Sequence, residues 1–344
     1  MKKWMVALLT LALLAVLAGC GSKPQSGSGD TGAKTFGGGE AKGEKKQLKI
    51  ALLLPGPIND MGWNASAYEG LKQAEKKYGA SVAYVENVAQ SDMEENFRGF
   101  ALQGYDLIIG HGFQFGDAAK KVATQFPNSK FVVTSSNISQ PPNVASVNID
   151  NEMQGFIMGV IAALMSKSRV VGAIGGEQIP PIVGSIEGFE KGAKYIDPKI
   201  KVLTAYTGNF NDVNKAKEMA LAMIAQGADI IMANANQAGL GSIQACKEKR
   251  ILAIGSNMDQ NPVAPDTVLV SVIKSVPVLI SYVVDLIYNN KFEPRFYNLG
   301  VKEGAIYLSP WHGFENKVPQ EVKDRIARIM KDLEEGKLDI RQYK

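Results

Sequence analysis

A polar loop, Pro55-Gly56-Pro57-Ile58-Asn59-Asp60-Met61-Gly62-Trp63-Asn64, follows directly on the apolar run Leu48 to Leu54. Its amides, carboxylate and one large aromatic could bind a solute, and none of them is an obvious nucleophile. Six further loops share this character. They span 110–115 with His111 and Phe113, 134–137 with Ser135, 175–181, 207–212 with Phe210 and Asp212, 234–239 with Asn236, and 256–260 with Asn257 and Asp259. Amide side chains both donate and accept hydrogen bonds, and aromatic rings offer flat apolar faces. The set suits recognition of a planar polar solute. It does not suit catalysis, because no nucleophile–base–orienter set and no G-x-S-x-G elbow can be read. Asp60, Asp212 and Asp259 could form the acid cluster of a hydrolase, or could equally cap helices. The two histidines, His111 and His312, lie far apart, and nothing has metal-ligand spacing. Gly37-Gly38-Gly39 with Lys42 is no phosphate loop, since no strand precedes it and the Gly-Lys-Ser/Thr ending is missing. No cofactor is expected.

Loops of this kind need a scaffold that brings them to one edge. From residue 47 onward, apolar runs alternate with amphipathic stretches. The pattern predicts strands at 48–54, 81–85, 105–109, 130–134 and 144–149, with helices at 64–78, 92–103, 115–125 and 152–165. It then restarts, with strands at 169–174, 200–205, 228–233, 251–255 and 267–273 and helices at 182–195, 212–226, 238–249 and 276–289. Gln103-Gly104-Tyr105-Asp106-Leu107-Ile108-Ile109 matches Gln226-Gly227-Ala228-Asp229-Ile230-Ile231-Met232, and Glu69-Gly70-Leu71 matches Glu187-Gly188-Phe189. A duplicated α/β unit follows: two doubly wound, Rossmann-like lobes joined by a hinge, with ligand loops at the carboxyl ends of the strands. The expected division is 47–136 plus 271–303 for the first lobe and 137–270 plus 304–344 for the second. Hinge positions are expected near Ser135, Val270 and Gly304. Trp311 and Phe314, ahead of a helix at 320–335, are expected to anchor the C-terminal segment across a lobe.

The front of the chain reads differently. Lys2 and Lys3, the apolar stretch Val6 to Leu17, and Leu17-Ala18-Gly19-Cys20 occur in the order of a lipoprotein signal. The expectation is a signal peptide over 1–20, with Cys20 lipidated and anchored to the outer face of a cell membrane. Residues 21–46, rich in Gly, Ser and Lys, read as a tether with a reach of about 28 Å, from ~5–6 Å times the square root of its length. Seven lysines and three acids fall in residues 1–46, which accounts for the whole chain's +4 and leaves the remainder formally neutral. Nucleic-acid binding is therefore not expected, because such proteins carry their basic surface on the folded body. With Cys20 lipidated, Cys246 has no internal disulfide partner and packs as a small apolar residue.

Several stretches together carry a resemblance. They are Asn59-Asp60-Met61-Gly62-Trp63-Asn64-Ala65-Ser66-Ala67-Tyr68-Glu69-Gly70, Gly208-Asn209-Phe210-Asn211-Asp212, Ala225-Gln226-Gly227-Ala228-Asp229-Ile230-Ile231, Ile254-Gly255-Ser256-Asn257-Met258-Asp259-Gln260 and Ser271-Val272-Ile273-Lys274. Over roughly 47–335, and at Cys20, the chain resembles the basic membrane protein family of lipoproteins. The resemblance implies a type 1 periplasmic-binding-protein fold and the role of solute-binding component of an ABC importer, with permease subunits as partners and a monomeric receptor. It implies a purine nucleoside or free purine ligand, with the base between Trp63 and Phe210. Asn64 would hydrogen-bond the base, and Lys274 would reach a ribose oxygen or pair with Asp259 or Asp60. Asn59, Asp60, His111, Phe113, Ser135, Asp212, Asn236, Asn257 and Asp259 are the further candidate contacts. Two positions depart from the nucleoside-binding pattern: Ser135 and Asn257 stand where the family often has Asp. An amide cannot accept from ribose hydroxyls as a carboxylate does, so a free base such as adenine competes with a nucleoside. The segment Ile179-Pro180-Pro181-Ile182-Val183 is similar to that of base-binding members. The alternatives are a sensory lipoprotein feeding a membrane regulator, a nucleoside-cleaving enzyme, and a sugar receptor of the same fold.

Overall fold

The computed structural model describes residues 47–60 and 62–343. The expected signal segment, the lipidated Cys20, the tether and Met61 lie outside the described residues. The chain opens with β1 (Lys49–Leu53), α1 (Trp63–Tyr78), β2 (Ser81–Val85), α2 (Met93–Leu102), β3 (Leu107–Gly110), α3 (Gly116–Ala123), β4 (Lys130–Thr134) and β5 (Val144–Ile149). It continues with α4 (Asn151–Met165), β6 (Val170–Gly175), α5 (Pro180–Ile196), β7 (Lys201–Tyr206), α6 (Val213–Ala225), β8 (Ile230–Asn234), α7 (Gly239–Lys249), β9 (Leu252–Asn257) and β10 (Val268–Lys274). It ends with α8 (Val276–Tyr288), β11 (Phe296–Leu299), β12 (Ile306–Leu308) and α9 (Gln320–Glu334).

Ile50 to Leu54 and Leu107 to Ile109 are almost wholly buried. Strands of this kind are covered on both faces and pair in parallel. The first sheet runs β11-β5-β4-β3-β1-β2, with every pairing parallel. The second runs β12-β10-β9-β8-β6-β7, parallel except for β12 against β10. This is the two-lobed doubly wound α/β architecture expected from the repeat.

The boundaries between the lobes differ from the expectation. β5 pairs with β4 through Phe131↔Val144, so residues 137–149 join the first sheet rather than the second. β10 pairs with β9 as far as Ile273↔Asn257, so Ser271 to Lys274 join the second sheet rather than the first. The chain crosses between sheets after β5, after β10, and between β11 and β12. Ser135 and Val270 therefore lie inside a lobe, and Gly304, at φ 68°, lies in the third crossing. The physical reason is that β5 and β10 take their sheets from the strands they pair with, β4 and β9, which local turn chemistry does not reveal. The crossings are bonded to one another where they leave the sheets: Asp150 N donates to Leu299 O (2.9 Å) and Ser275 N to Ala305 O (2.8 Å), while Asn148 Nδ2 on β5 donates to Asn298 Oδ1 on β11 (2.8 Å) just before them.

In the second lobe, α4 and α5 are packed backbone to backbone. A Cβ built on Gly155 would lie 2.0 Å from Ser185 O, and one on Gly192 would lie 1.9 Å from Phe156 O. Gly159 and Gly188 are as tightly covered. α4 is buried nearly all round, as its apolar sequence requires. α9 lays Val322, Ile326, Ile329 and Leu333 on the core, and Phe314 is buried ahead of it with Trp311 packed alongside.

Candidate functional site

The carboxyl end of β1 leads into α1, whose first turn is capped from upstream. Asp60 Oδ1 accepts from Gly62 N (3.0 Å) and Ala65 N (2.9 Å), and Oδ2 accepts from Asn64 N (2.9 Å) and Asn64 Nδ2 (2.8 Å). Four donors saturate this carboxylate, so Asp60 is a structural cap and not the expected ligand contact. Its effect is to fix the backbone of Trp63. Asn64 is buried against Gly56, where an added Cβ would lie 2.7 Å from Asn64 Nδ2. Its Oδ1 has no partner among the described residues. Asn59 is exposed.

Trp63 stacks on His111, with ring centroids 4.3 Å apart and planes 19° from parallel. His111 stands just after β3 and has no exposed surface. Its Nε2 lies 3.2 Å from Trp63 O and its Nδ1 lies 3.1 Å from Thr134 Oγ1. A carbonyl only accepts, so Nε2 carries the proton and the Thr134 hydroxyl donates to Nδ1. Burial pushes the imidazole down to about 3, nearby Lys274 adds to this, and the Trp63 carbonyl opposes it. His111 is thus a neutral platform under the indole. Both of its nitrogens and one face are engaged by Trp63 and Thr134.

Lys274 ends β10 and is 4% exposed. Its Nζ donates to Asn151 Oδ1 (2.7 Å) and lies over the Trp63 ring, 5.1 Å from the centroid. Burial lowers its pKa to about 8, against the attraction of Asp150. Among the described residues no carboxylate forms an ion pair with it. The expected pairings with Asp60 or Asp259 are therefore replaced by Asn151, the first residue of α4. Asp259 instead accepts from Asn261 N (3.1 Å) and meets His312 Nε2 through Oδ2 (2.6 Å), tying the β9 loop to the C-terminal segment. Asp212 caps α6 by accepting from Lys215 N (2.9 Å) and is exposed. The three aspartates that might have formed an acid cluster are thus engaged separately.

The second lobe contributes a buried row of amides. Gln154 Nε2, on α4, donates to Val272 O (2.9 Å) and Asn257 Oδ1 (3.3 Å). Asn257 Nδ2 donates to Asn234 Oδ1 (3.3 Å), and Asn234 Nδ2 donates to Ser185 Oγ (3.1 Å). Gln154 Oε1 is left without a partner among the described residues. Asn257 adopts φ 67° at the end of β9, a left-handed conformation that Asn tolerates better than most residues. Asn236, also left-handed, brings its Oδ1 beside α1, 3.7 Å from where a Gly62 Cβ would sit. Phe210 packs its ring on Gly176, where an added Cβ would come within 2.4 Å. Phe113 is exposed at the turn after β3, and Ser135 is half-buried with its N–H bonded to Val147 O (3.0 Å).

The structure thus joins Trp63, His111 and Lys274 into one cluster and places Asn236 beside it. Sequence reasoning missed Asn151, Gln154 and Ser185, and included Thr134 and Asn234 only as the first residues of two expected ligand loops. The signal available for Asn151 and Gln154 was a pair of amides at the head of an otherwise apolar helix. Among the described residues no group of three or more His, Cys, Asp or Glu could hold a metal ion. No helix of the described residues is long and apolar enough to cross a membrane.

A family model described as ABC transporter substrate-binding protein, PnrA-like, matches residues 47–337. The chain is 32% identical to the ABC transporter nucleoside-binding protein BmpA of Lactococcus lactis, across 99% of both chains. It is 29% identical to the transcriptional activator protein Med of Bacillus subtilis, across 94% of each. It is 30% identical to a purine-binding protein of Brucella abortus, over 85% of this chain and 83% of that one. A crystal structure of an ABC transporter solute-binding protein from Aeropyrum pernix superposes with a TM-score of 0.75 at 21% identity, covering 85% of this chain and 92% of that one.

Proposed function

The chain belongs to the family of PnrA-like ABC transporter substrate-binding proteins, and from that premise we propose that it is a lipid-anchored receptor, on the outer face of the membrane, that delivers a purine nucleoside or free purine base to an ABC permease. The observation that carries the reading is the Trp63 indole, supported beneath by His111 and overhung by Lys274. A stacked base gains about 1–3 kcal/mol from an aromatic platform. Phe210, on the opposite lobe, would close the other side of the base, so that the ligand itself joins the lobes. Asn64, Asn236 and Asn257 would supply amide contacts, with Asn59, Phe113 and Ser135 at the margin. Cys20 would hold the lipid, and the receptor would act as a monomer.

The names of the Lactococcus and Brucella relatives support a nucleoside or purine ligand. Native mass spectrometry of the purified chain against purines, nucleosides and sugars tests it. A bound nucleoside or purine base is expected, and binding of sugars alone would overturn it. The Bacillus relative's name favours a second reading, in which a membrane regulator reads the closed form. Uptake of a labelled purine by cells lacking the chain separates the two: loss of uptake supports the importer, and unchanged uptake supports the regulator.

A further inference from the structure

Resting on the reading of Cys20 as a lipid anchor, we infer that the amino edge of the first sheet is a docking face for an anionic lipid surface. All strands of that sheet are parallel, so their amino ends share one pole of the lobe with the C-termini of the helices that lead into them. Gln47, the first described residue, stands at this pole. Its Nε2 donates to Gly79 O (2.7 Å), and the next residue's carbonyl, Leu48 O, accepts from Ser81 N (2.8 Å). The segment that reads as the tether therefore enters the body here. Lys76, Lys77, Lys291 and Arg295 are exposed around the same pole, and Lys130 is half-buried there. Lys77 pairs with Asp285 and Arg295 with Glu293, whereas Lys76, Lys130 and Lys291 form no ion pair among the described residues. The opposite, cleft-side edge is the electrostatic inverse. Its loops at 54–62, 86–95, 110–117 and 134–143 hold Asp60, Glu86, Asp92, Glu94, Glu95 and Asp117 but no Lys or Arg.

Basic residues alone would not single this pole out, because helix C-termini favour them everywhere. The last turn of α7, leading into the second sheet, carries Lys247 and Lys249 for the same reason. What distinguishes the first pole is an exposed apolar side chain beside the chain's entry. Leu102, the last residue of α2, is 71% exposed, more than any other large apolar side chain among the described residues. Lys49 Nζ donates to Gln103 O (3.1 Å), which holds the end of α2 against the first strand where the chain enters. Phe296, at the start of β11, is also exposed on this edge. An acidic phospholipid surface matches these features together. Its headgroups meet the lysines, each strengthening association by about fivefold, and its acyl boundary receives the leucine. Acyl chains on Cys20 would hold the face within the tether's reach of about 28 Å, and a basic face adds a second hold to such an anchor. Docking stands the receptor on its first lobe and turns the acidic cleft edge away from the like-charged lipid.

Quenching of a thiol-linked fluorophore by neutral acrylamide tests this on the full lipidated chain in vesicles of phosphatidylcholine, with or without phosphatidylglycerol. Cys246 is buried, and burial pushes its thiol up to about 12, so an introduced surface cysteine takes the label. Asn128→Cys labels the exposed loop ahead of β4 at the docking pole, and Lys249→Cys labels the pole of the second lobe. The Asn128 label should be quenched about threefold less with phosphatidylglycerol than without it, while the Lys249 label is unchanged. High salt should abolish the difference, because it screens the headgroups. The combined Lys76→Gln, Lys130→Gln and Lys291→Gln variant should abolish it too, and Leu102→Ser should reduce it. Equal quenching at both positions, shielding that is as strong in phosphatidylcholine alone, or a difference that survives the triple variant overturns the inference. So does shielding that appears only when permease is added, which makes this face a protein contact. Intact mass separates the two levels of failure. Acyl chains on Cys20 with an unshielded Asn128 label leave the anchor reading standing and sink the docking face. A chain without acyl chains sinks both.

Discussion

His111 titrates near 3 in the folded chain because burial opposes the imidazolium, whereas an unfolded histidine titrates near ~6.5. Between those values the unfolded chain binds the extra proton. Stability conferred by this group is therefore present above ~6.5 and is lost as the pH falls towards 3, by up to about 1.4 kcal/mol per pH unit. Denaturant melts at several acidic pH values should show that slope, and His111→Gln should flatten it relative to the unaltered chain. An identical slope in the variant would move the effect to other groups. Trp63→Ala should weaken purine binding by about 5- to 150-fold, equivalent to the ~1–3 kcal/mol of one stack. His111→Ala should weaken it less, because Asp60 still pins the backbone of Trp63. Equal losses in a binding titration would sink the stacking account. Asp60→Ala should cost about 0.5–2 kcal/mol of stability in a denaturant melt, the usual range for a lost helix cap.

At the scale of elements, α4 and α5 make the sharpest prediction. Gly159→Ala places a methyl group 2.0 Å from Phe189 O and should cost about 1–3 kcal/mol, measured by thermal unfolding. Gly99→Ala on α2 meets nothing within 4 Å and should be neutral or stabilising by up to about 1 kcal/mol. The contrast checks the register of the helix pair, since propensity alone favours alanine at both positions. The ten principal strands and their helices were legible because each carries a long apolar or amphipathic run. β11 and β12 were not, because Phe296–Leu299 and Ile306–Leu308 are four and three residues long and lie at sheet edges. Their absence from the reading also misplaced the crossings: a strand's sequence says that it pairs, not which sheet it completes. In the site, Trp63 stood out as the one large aromatic in its loop. The aspartates misled, since a carboxylate at a helix start can serve a ligand or a backbone, and only the observed donors decide. The role of His111 depends on burial, which no local pattern gives.

At the scale of the whole molecule, the Trp63–Lys274 contact joins the residues that follow β1 and end β10, so the proposed ligand would link occupancy to lobe angle. A ligand shifts the population towards the closed form only by its differential affinity for that form. Adding a bound purine should lower the radius of gyration in solution scattering, and Phe210→Ala should reduce that compaction. An unchanged radius on saturation would rule out closure as the response. The three crossings govern what motion is available. Asp150–Leu299 and Ser275–Ala305 bond neighbouring strips of chain into a band between the sheets. In mechanical terms such a band is a flexure. Its strips resist stretch and shear together but bend as a set, which leaves one soft rotation between two stiff plates. A load between the sheets would be shared by three covalent ligaments in parallel, so the two plates turn about the band without coming apart.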